Sequence, residues 1–489
     1  MEKESRDFVI GVKKNFVLPG NPRYQPIQMK EIFGYDNLYQ TFIEVELATL
    51  ETLYEFGVIP QEDYDIMSPE LKEALMQIPT TLVDELERSV TKHDIRALVQ
   101  IMQQIVGPEL GRWIHVPLTS YDVIDTGRSL QYVRAFENCL APSITKLLSE
   151  FQKKIIETAI TIQVGRTHGQ HALPITVGFW LATVAERIFF NFREMSRFRD
   201  GLIGKISGAV GAYNAQVGLS LNVSKDGKIF EEEVLKKLGL KPAPISTQIL
   251  PPESLAYFLF SASAMSASLG QFGRDGRNLM RSEIAEVAEK FSSSQVGSST
   301  MAHKRNPINF ENLEGMWLRT KNEFGKVLDT MISDHQRDLV GSSVARDLPI
   351  ILINLQHQLN TLLRSDGHGG TFLSNIIIDK KKCEENFAVN EDLLMAEPIY
   401  IALQMAGYKD DAHHLVNHVL MGLAKKYSMS LFDALLFHAG QLENIELQLV
   451  LQKIPKEVQD LLAQPKKYIG LAARKALMIA EAINVWFEI

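Results

Sequence analysis

The sequence predicts an all-α protein organised around a bundle of long helices. Apolar residues recur mostly at helical spacing, alternating strand patterns are few and short, and proline is missing from long stretches. No proline falls between Ser254 and Asn306, and further long proline-free runs lie between Pro142 and Pro174 and between Pro307 and Pro349. Proline inside a helix removes an amide donor and clashes with the preceding turn, so its absence leaves long helices free to form. Single long helices are marginal in water, and mutual packing along their length is what stabilises them.

The elements follow in chain order. After Asn37, the residues Leu38, Phe42, Val45 and Tyr54 mark an apolar helix face, and Gly57 and Pro60 end it. The RWIHVPL stretch places a boundary near residue 118. GFWLATVAERIFF is the most apolar helical segment, but Glu186 and Arg187 interrupt it, so it falls short of the roughly 18 apolar residues of a membrane span. In LAYFLFSASAMSASLGQFG, small residues alternate with large apolar ones, which lets helix backbones approach closely. Glycines in RSDGHGG, residues 364–370, read as a loop. Three domains are therefore expected: an N-terminal helical domain over 1–118, a central helical bundle over 119–370 and a C-terminal helical domain over 371–489.

Composition narrows the class. With 489 residues, 45% hydrophobic and 22% charged, the chain matches an ordinary globular protein. A net charge of −8 argues against a general nucleic-acid or anionic-membrane surface, and leaves room for a local basic pocket. Cys139 and Cys383 are the two cysteines, too few for a disulfide framework or a CxxC metal site, and they read as inert thiols in a reducing compartment. The charged start MEKESRDF lacks the apolar core of a signal peptide, so a cytoplasmic protein is expected. Asp410, His414 and His418 recur every four residues and would share a helix face, but no HExxH motif or further ligand accompanies them. No metal and no cofactor is expected.

The chemistry concentrates in residues 297–312, GSSTMAHKRNPINFEN. A small hydroxyl on a flexible turn is followed by a cation and an amide. That set suits proton removal from a carbon beside a carboxylate, with Lys304 and Asn306 placed to hold the resulting oxyanion.

The GSSxMxxKxN pattern resembles the mobile catalytic loop of the fumarase/aspartase superfamily. Two more blocks stand in the order of that superfamily: TSYDVIDT at 119–126 and GRTHGQ at 165–170. Within it, the chain is most similar to the adenylosuccinate lyase family, through HKRNPI at 303–308, Arg23-Tyr24, Thr91 to Asp94, GKISGAVG at 204–211, Ser246 to Gln248, and Gln336 to Asp338 followed by Ser342 and Arg346. There are departures: Ala302 stands where the loop usually has proline, Gln25-Pro26-Ile27-Gln28 replaces a stretch that often holds Arg and Glu, and ILPPE at 249–253 lacks a basic residue.

The resemblance implies the fold of a three-domain lyase with a central helix bundle, a homotetramer with sites shared between subunits, and elimination of fumarate from an N-substituted aspartate. It assigns Ser298 as base and His168 as acid, with Lys304 and Asn306 on the developing dianion. A serine is a poor base in water and needs its anion stabilised, whereas an imidazole titrates near neutrality. His93 and His115 orient the substrate or assist the acid. Thr119, Ser120 and Gln248 hydrogen-bond carboxylates. Arg23, Tyr24, Arg337, Ser342 and Arg346 contact the nucleotide and its phosphate, a task that suits arginine's planar donors. Thr91, Asp94, Thr167, Ser299 and Met301 complete the substrate-contacting set. The same blocks are compatible with another N-substituted aspartate or with a 3-carboxymuconate cycloisomerase-like ring closure. A structural protein on a retired lyase fold would have no reason to keep Ser298, His168, Lys304 and Asn306 together.

Overall fold

The computed structural model describes residues 14–290, 301, 304–441 and 445–488. Helices dominate, and the described strands form two short two-stranded sheets. The fold class therefore agrees with the periodicity of the sequence. The chain divides into two compact units. The first comprises residues 1–145, 190–270 and 313–361, and the second 146–189, 271–312 and 362–489.

In the first unit, the Gln40–Glu55 helix packs against the Ser120–Ala135 helix. Gly127 makes this approach possible: a Cβ there would lie 2.4 Å from Cδ1 of Phe42. Ile43, Leu50 and Leu53 are essentially fully buried on the same helix as Phe42. Each such side chain contributes on the order of 1.5–3 kcal/mol by leaving water.

The alternation of small and large residues after Ser254 has a local explanation. Ser261, Ser263 and Ser268 donate their hydroxyls to the carbonyls of Tyr257, Leu259 and Ala264, one helical turn back, at 3.0, 2.9 and 3.1 Å. Polar groups satisfied within their own helix can be buried without an orphaned donor. Ser266 donates instead to Oε1 of Gln358, and Nε2 of Gln358 donates to the Leu313 carbonyl at 2.8 Å, so one buried glutamine joins three helices. Gly270 faces the Cβ of Trp317, where an added methyl would sit 2.7 Å away.

In the second unit, two strands, β1 (Ile162–Thr167) and β2 (Gln170–Thr176), pair antiparallel as a hairpin. The unit's core includes a run of aromatic contacts from Phe151 to Phe272, Phe310 and Phe372, with Trp180 against Phe272. A separate apolar cluster over the C-terminal residues centres on Ile399, Leu403, Val416, Leu435 and Leu447. Asp410 lies before the helix there, whose cap is Asp411, so it does not share the face of His414 and His418. Among the described residues no group of three or more metal-ligating side chains forms.

Candidate active site

The first unit gathers His93, Asp94, Arg337, Ser342 and Arg346 of the predicted substrate contacts around one cavity. A π-turn over Glu87–Thr91 leads to Lys92 in the left-handed region, and His93 then caps the Asp94–Val106 helix. Nδ1 of His93 accepts the Arg96 N–H at 3.4 Å, and Nε2 faces Oγ of Ser120 at 3.3 Å. Nδ1 also lies 3.4 Å from Oδ1 of Asp94. Thr91 Oγ1 donates to the His93 carbonyl at 2.8 Å and steadies the same turn.

Thr119 caps the Ser120–Ala135 helix in a capping box with Asp122, whose Oδ2 accepts the Thr119 N–H at 2.8 Å. Asp122 does more than cap. It is fully buried, pairs with the equally buried Lys205, and its Oδ1 accepts the N–H groups of Ser207 and Gly208 at 3.1 and 3.2 Å. Ser207 Oγ is 2.7 Å from Ser246 Oγ. One buried ion pair thus ties the TSYD block to the GKISGAVG segment and onward to the STQ segment.

Gln248 continues this network. Its Oε1 accepts from Nη1 of Arg337 at 3.1 Å, while the Arg337 guanidinium lies 3.3 Å from the centroid of the Tyr121 ring. The Tyr121 hydroxyl approaches Ser342 Oγ at 3.5 Å, and Nη2 of Arg346 pairs with Oδ2 of Asp94 at 3.1 Å. His93, Asp94, Arg337, Ser342 and Arg346 line a cavity of about 730 Å³.

Other predicted residues lie elsewhere in this unit. His115 sits at positive φ and presents Nδ1 to Glu46 Oε1 at 2.7 Å, while its N–H donates to Glu46 Oε2 at 3.0 Å. Burial pulls the imidazole pKa down, but the hydrogen bond and charge of Glu46 outweigh it, leaving the pKa above its usual value. Arg23 lines a separate recess with Gln25, Gln28, His357 and Asn360. Tyr24 meets the His357 ring edge-on at 5.2 Å, and Arg319 lies over its face.

In the second unit, His168 and Gly169 form the two-residue turn between β1 and β2, with φ of +54° and +76°. Two successive positive φ values suit the turn that matches strand twist, and glycine takes the second position at little cost. The sequence reads as a loop at this point, and the tip is one. The flanking strands are the new feature, because the helical and loop signals around them mask the short alternation. Buried Glu286 anchors the hairpin: it pairs with Arg166, accepts from Gln163 Nε2 at 2.8 Å and from Asn386 Nδ2 at 2.9 Å. Thr167 and His168 therefore stand at the end of a fixed ribbon.

The same unit holds Met301, Lys304 and Asn306. The Lys304 N–H donates to the Met301 carbonyl at 3.0 Å, and the Asn306 carbonyl accepts the Ile308 N–H at 2.9 Å as the Ile308–Asp329 helix begins. Glu289 fastens that helix start by accepting the N–H groups of Asn309 and Phe310 at 2.9 and 3.1 Å. Burial raises the Glu289 pKa despite these hydrogen bonds. Ser298 and Ser299 lie outside the described residues.

Tyr121, Asp122 and Lys205 belong to this architecture but not to the set of site residues read from sequence. A lysine within the small and apolar GKISGAVG run was the available signal: a charge in such a run needs a buried partner.

Solved structures share the fold. A 3-carboxy-cis,cis-muconate lactonizing enzyme from Pseudomonas putida superposes with a TM-score of 0.76 at 23% identity, covering 95% of this chain and 98% of that one. Sequence relatives are more specific. An adenylosuccinate lyase from Archaeoglobus fulgidus is 31% identical over 471 residues, 96% of this chain and 99% of the relative. One from Bacillus subtilis is 33% identical over 401 residues, 81% of this chain and 86% of its own. The lyase family model matches residues 29–320. The chain accordingly belongs to the lyase family and, within it, to the adenylosuccinate lyases.

Proposed function

We propose that the protein cleaves the C–N bond of adenylosuccinate to AMP and fumarate by anti β-elimination, and acts likewise on the succinylaminoimidazole carboxamide ribotide of purine biosynthesis. The observation that carries this reading is the convergence of His93 with Ser120, Arg337 with Gln248, and Arg346 with Asp94 around one cavity. Hydroxyl, amide and guanidinium groups there match a substrate with two carboxylates and a phosphomonoester.

In the proposed reaction, Ser298 takes the proton from the carbon next to a carboxylate. The electron pair passes into that carboxylate, and Lys304 and Asn306 hold the dianion more tightly as charge develops. The C–N bond then breaks, His168 gives a proton to the departing nitrogen, and fumarate remains. Each acid–base group contributes on the order of 10²–10⁴-fold.

A homotetramer, with blocks from three chains at each site, is part of the proposal. Tyr257, Phe260, Leu318 and Leu328 support it: these large apolar side chains on two long helices are each 45% exposed or more. A cytoplasmic location, without nucleic-acid or membrane partners, fits the net charge of −8. No described helix is long and apolar enough to cross a membrane.

Running the reaction backwards tests the chemistry. AMP and fumarate in D₂O are expected to yield adenylosuccinate with one deuterium on its methylene carbon, as a single diastereomer. A mixture of diastereomers, or product without deuterium, contradicts a positioned base acting on one face.

A further inference from the structure

The cavity of the first unit is lined by four cations, Lys92, Arg128, Arg337 and Arg346, against two carboxylates, Glu87 and Asp94. Three of the cations are engaged. Lys92 donates to the Arg88 carbonyl, Arg337 donates to Gln248 while resting on Tyr121, and Arg346 pairs with Asp94.

Arg128 differs. Among the described residues its guanidinium has no hydrogen bond and no ion pair, although the residue is partly buried. Its obvious partner is Asp125, three residues earlier on the same helix. That carboxylate accepts the Leu250 N–H at 2.8 Å instead, and Arg128 reaches it only through its field. Arg128 also lines a second cavity, of about 140 Å³, together with Tyr121, Tyr132, Arg337 and Ser342, which line both. It therefore stands at the partition between two recesses.

A partly buried guanidinium that faces a cavity and has no acceptor among the described residues keeps its donors available to an entering anion. The planar fork matches two oxygens of one phosphate, and the surrounding Phe33, Tyr39, Phe42 and Ile124 keep the local dielectric low, which strengthens the interaction. We propose that Arg128 is an anion-binding residue that grips the phosphomonoester of the substrate, beside Arg337 and Ser342 on the same wall. This rests on the adenylosuccinate-cleaving reading above and extends it by one residue.

Arg128→Met keeps the length of the stem and removes the fork. The expected result is a rise in KM for adenylosuccinate of roughly tenfold to a hundredfold, with kcat nearly unchanged. The dephosphorylated nucleoside form should lose almost nothing, inorganic phosphate should weaken as a competitive inhibitor by a similar factor, and Arg128→Lys should recover part of the loss. An equal loss on both substrates with a lowered melting temperature makes Arg128 structural and overturns the proposal, as does an unchanged KM. Calorimetric titration of AMP into wild-type and Arg128→Met protein separates the two claims. If the wild type fails to cleave adenylosuccinate yet AMP affinity falls in the variant, the reaction is wrong and the anion site stands. Normal cleavage with unaltered AMP affinity means the reverse.

Discussion

Ser298→Ala is expected to lower turnover roughly 10²-fold or more while leaving the helical circular dichroism spectrum unchanged. The reason lies in what alanine removes. Proton abstraction from carbon needs a group whose anion is held ready, and the resemblance of GSSTMAHKRN to the family's loop assigns that part to the Ser298 hydroxyl. Ser299 is adjacent, and its rescue of the reaction would show as a loss well below tenfold. Near-normal turnover in Ser298→Ala removes this serine from the mechanism. KM should move much less than kcat, because the hydroxyl acts on the transition state rather than on the bound ground state.

Lys205→Met is expected to destabilise the protein by about 3–5 kcal/mol, because it leaves the Asp122 carboxylate buried without its partner. Both side chains are fully shielded from solvent. The neighbouring N–H donors on Asp122 remain and soften the loss without cancelling it. The double variant Asp122→Asn/Lys205→Met removes both charges and should recover a large part of the stability. That recovery is the signature of a pair rather than of two independent residues. Thermal melting and chemical denaturation of the three proteins measure it. Single-variant stability within about 1 kcal/mol of the wild type contradicts the buried pair. A kinetic consequence accompanies the loss of stability. Thr119 and Ser120 sit at the helix start that Asp122 holds, so kcat/KM should fall in Lys205→Met even at temperatures where the protein is folded.

The fold class was legible because it depends on local properties. Proline-free runs and apolar spacing are visible in any window of the chain, and the long helices at 253–279 and 308–329 occupy the stretches where proline is missing. Family membership was legible for a different reason: three short blocks keep order and spacing, and chemistry fixes residue types that packing alone would not. What escaped detection depends on partners distant in sequence. Asp122 and Lys205 are 83 residues apart, and Arg166 and Glu286 are 120 apart. Nothing in a local window says that Glu286 will anchor the hairpin bearing His168, or that Glu289 will fasten the helix start after Asn306. Arg128 was hidden more simply. In TSYDVIDTGRSL it stands among ordinary helix residues, and only the surrounding cavity walls reveal a cation without an acceptor among the described residues.

Length and composition were equally silent on π-turns such as those at Glu87–Thr91 and Phe136–Leu140. The first lies in helical sequence with no proline or glycine to announce it, whereas Pro142 follows the second within the continuing helix and removes an amide donor there. The first shapes the approach to His93, and such turns recur at functional positions.

The most direct measurement is the forward reaction. Purified protein is incubated with adenylosuccinate, and AMP and fumarate are quantified together, with a second N-succinyl amine run in parallel. Equimolar AMP and fumarate from adenylosuccinate, with far slower release from the second compound, is the predicted result. Release of fumarate from the other amine alone, with adenylosuccinate untouched, would contradict the proposed substrate while leaving the lyase fold in place.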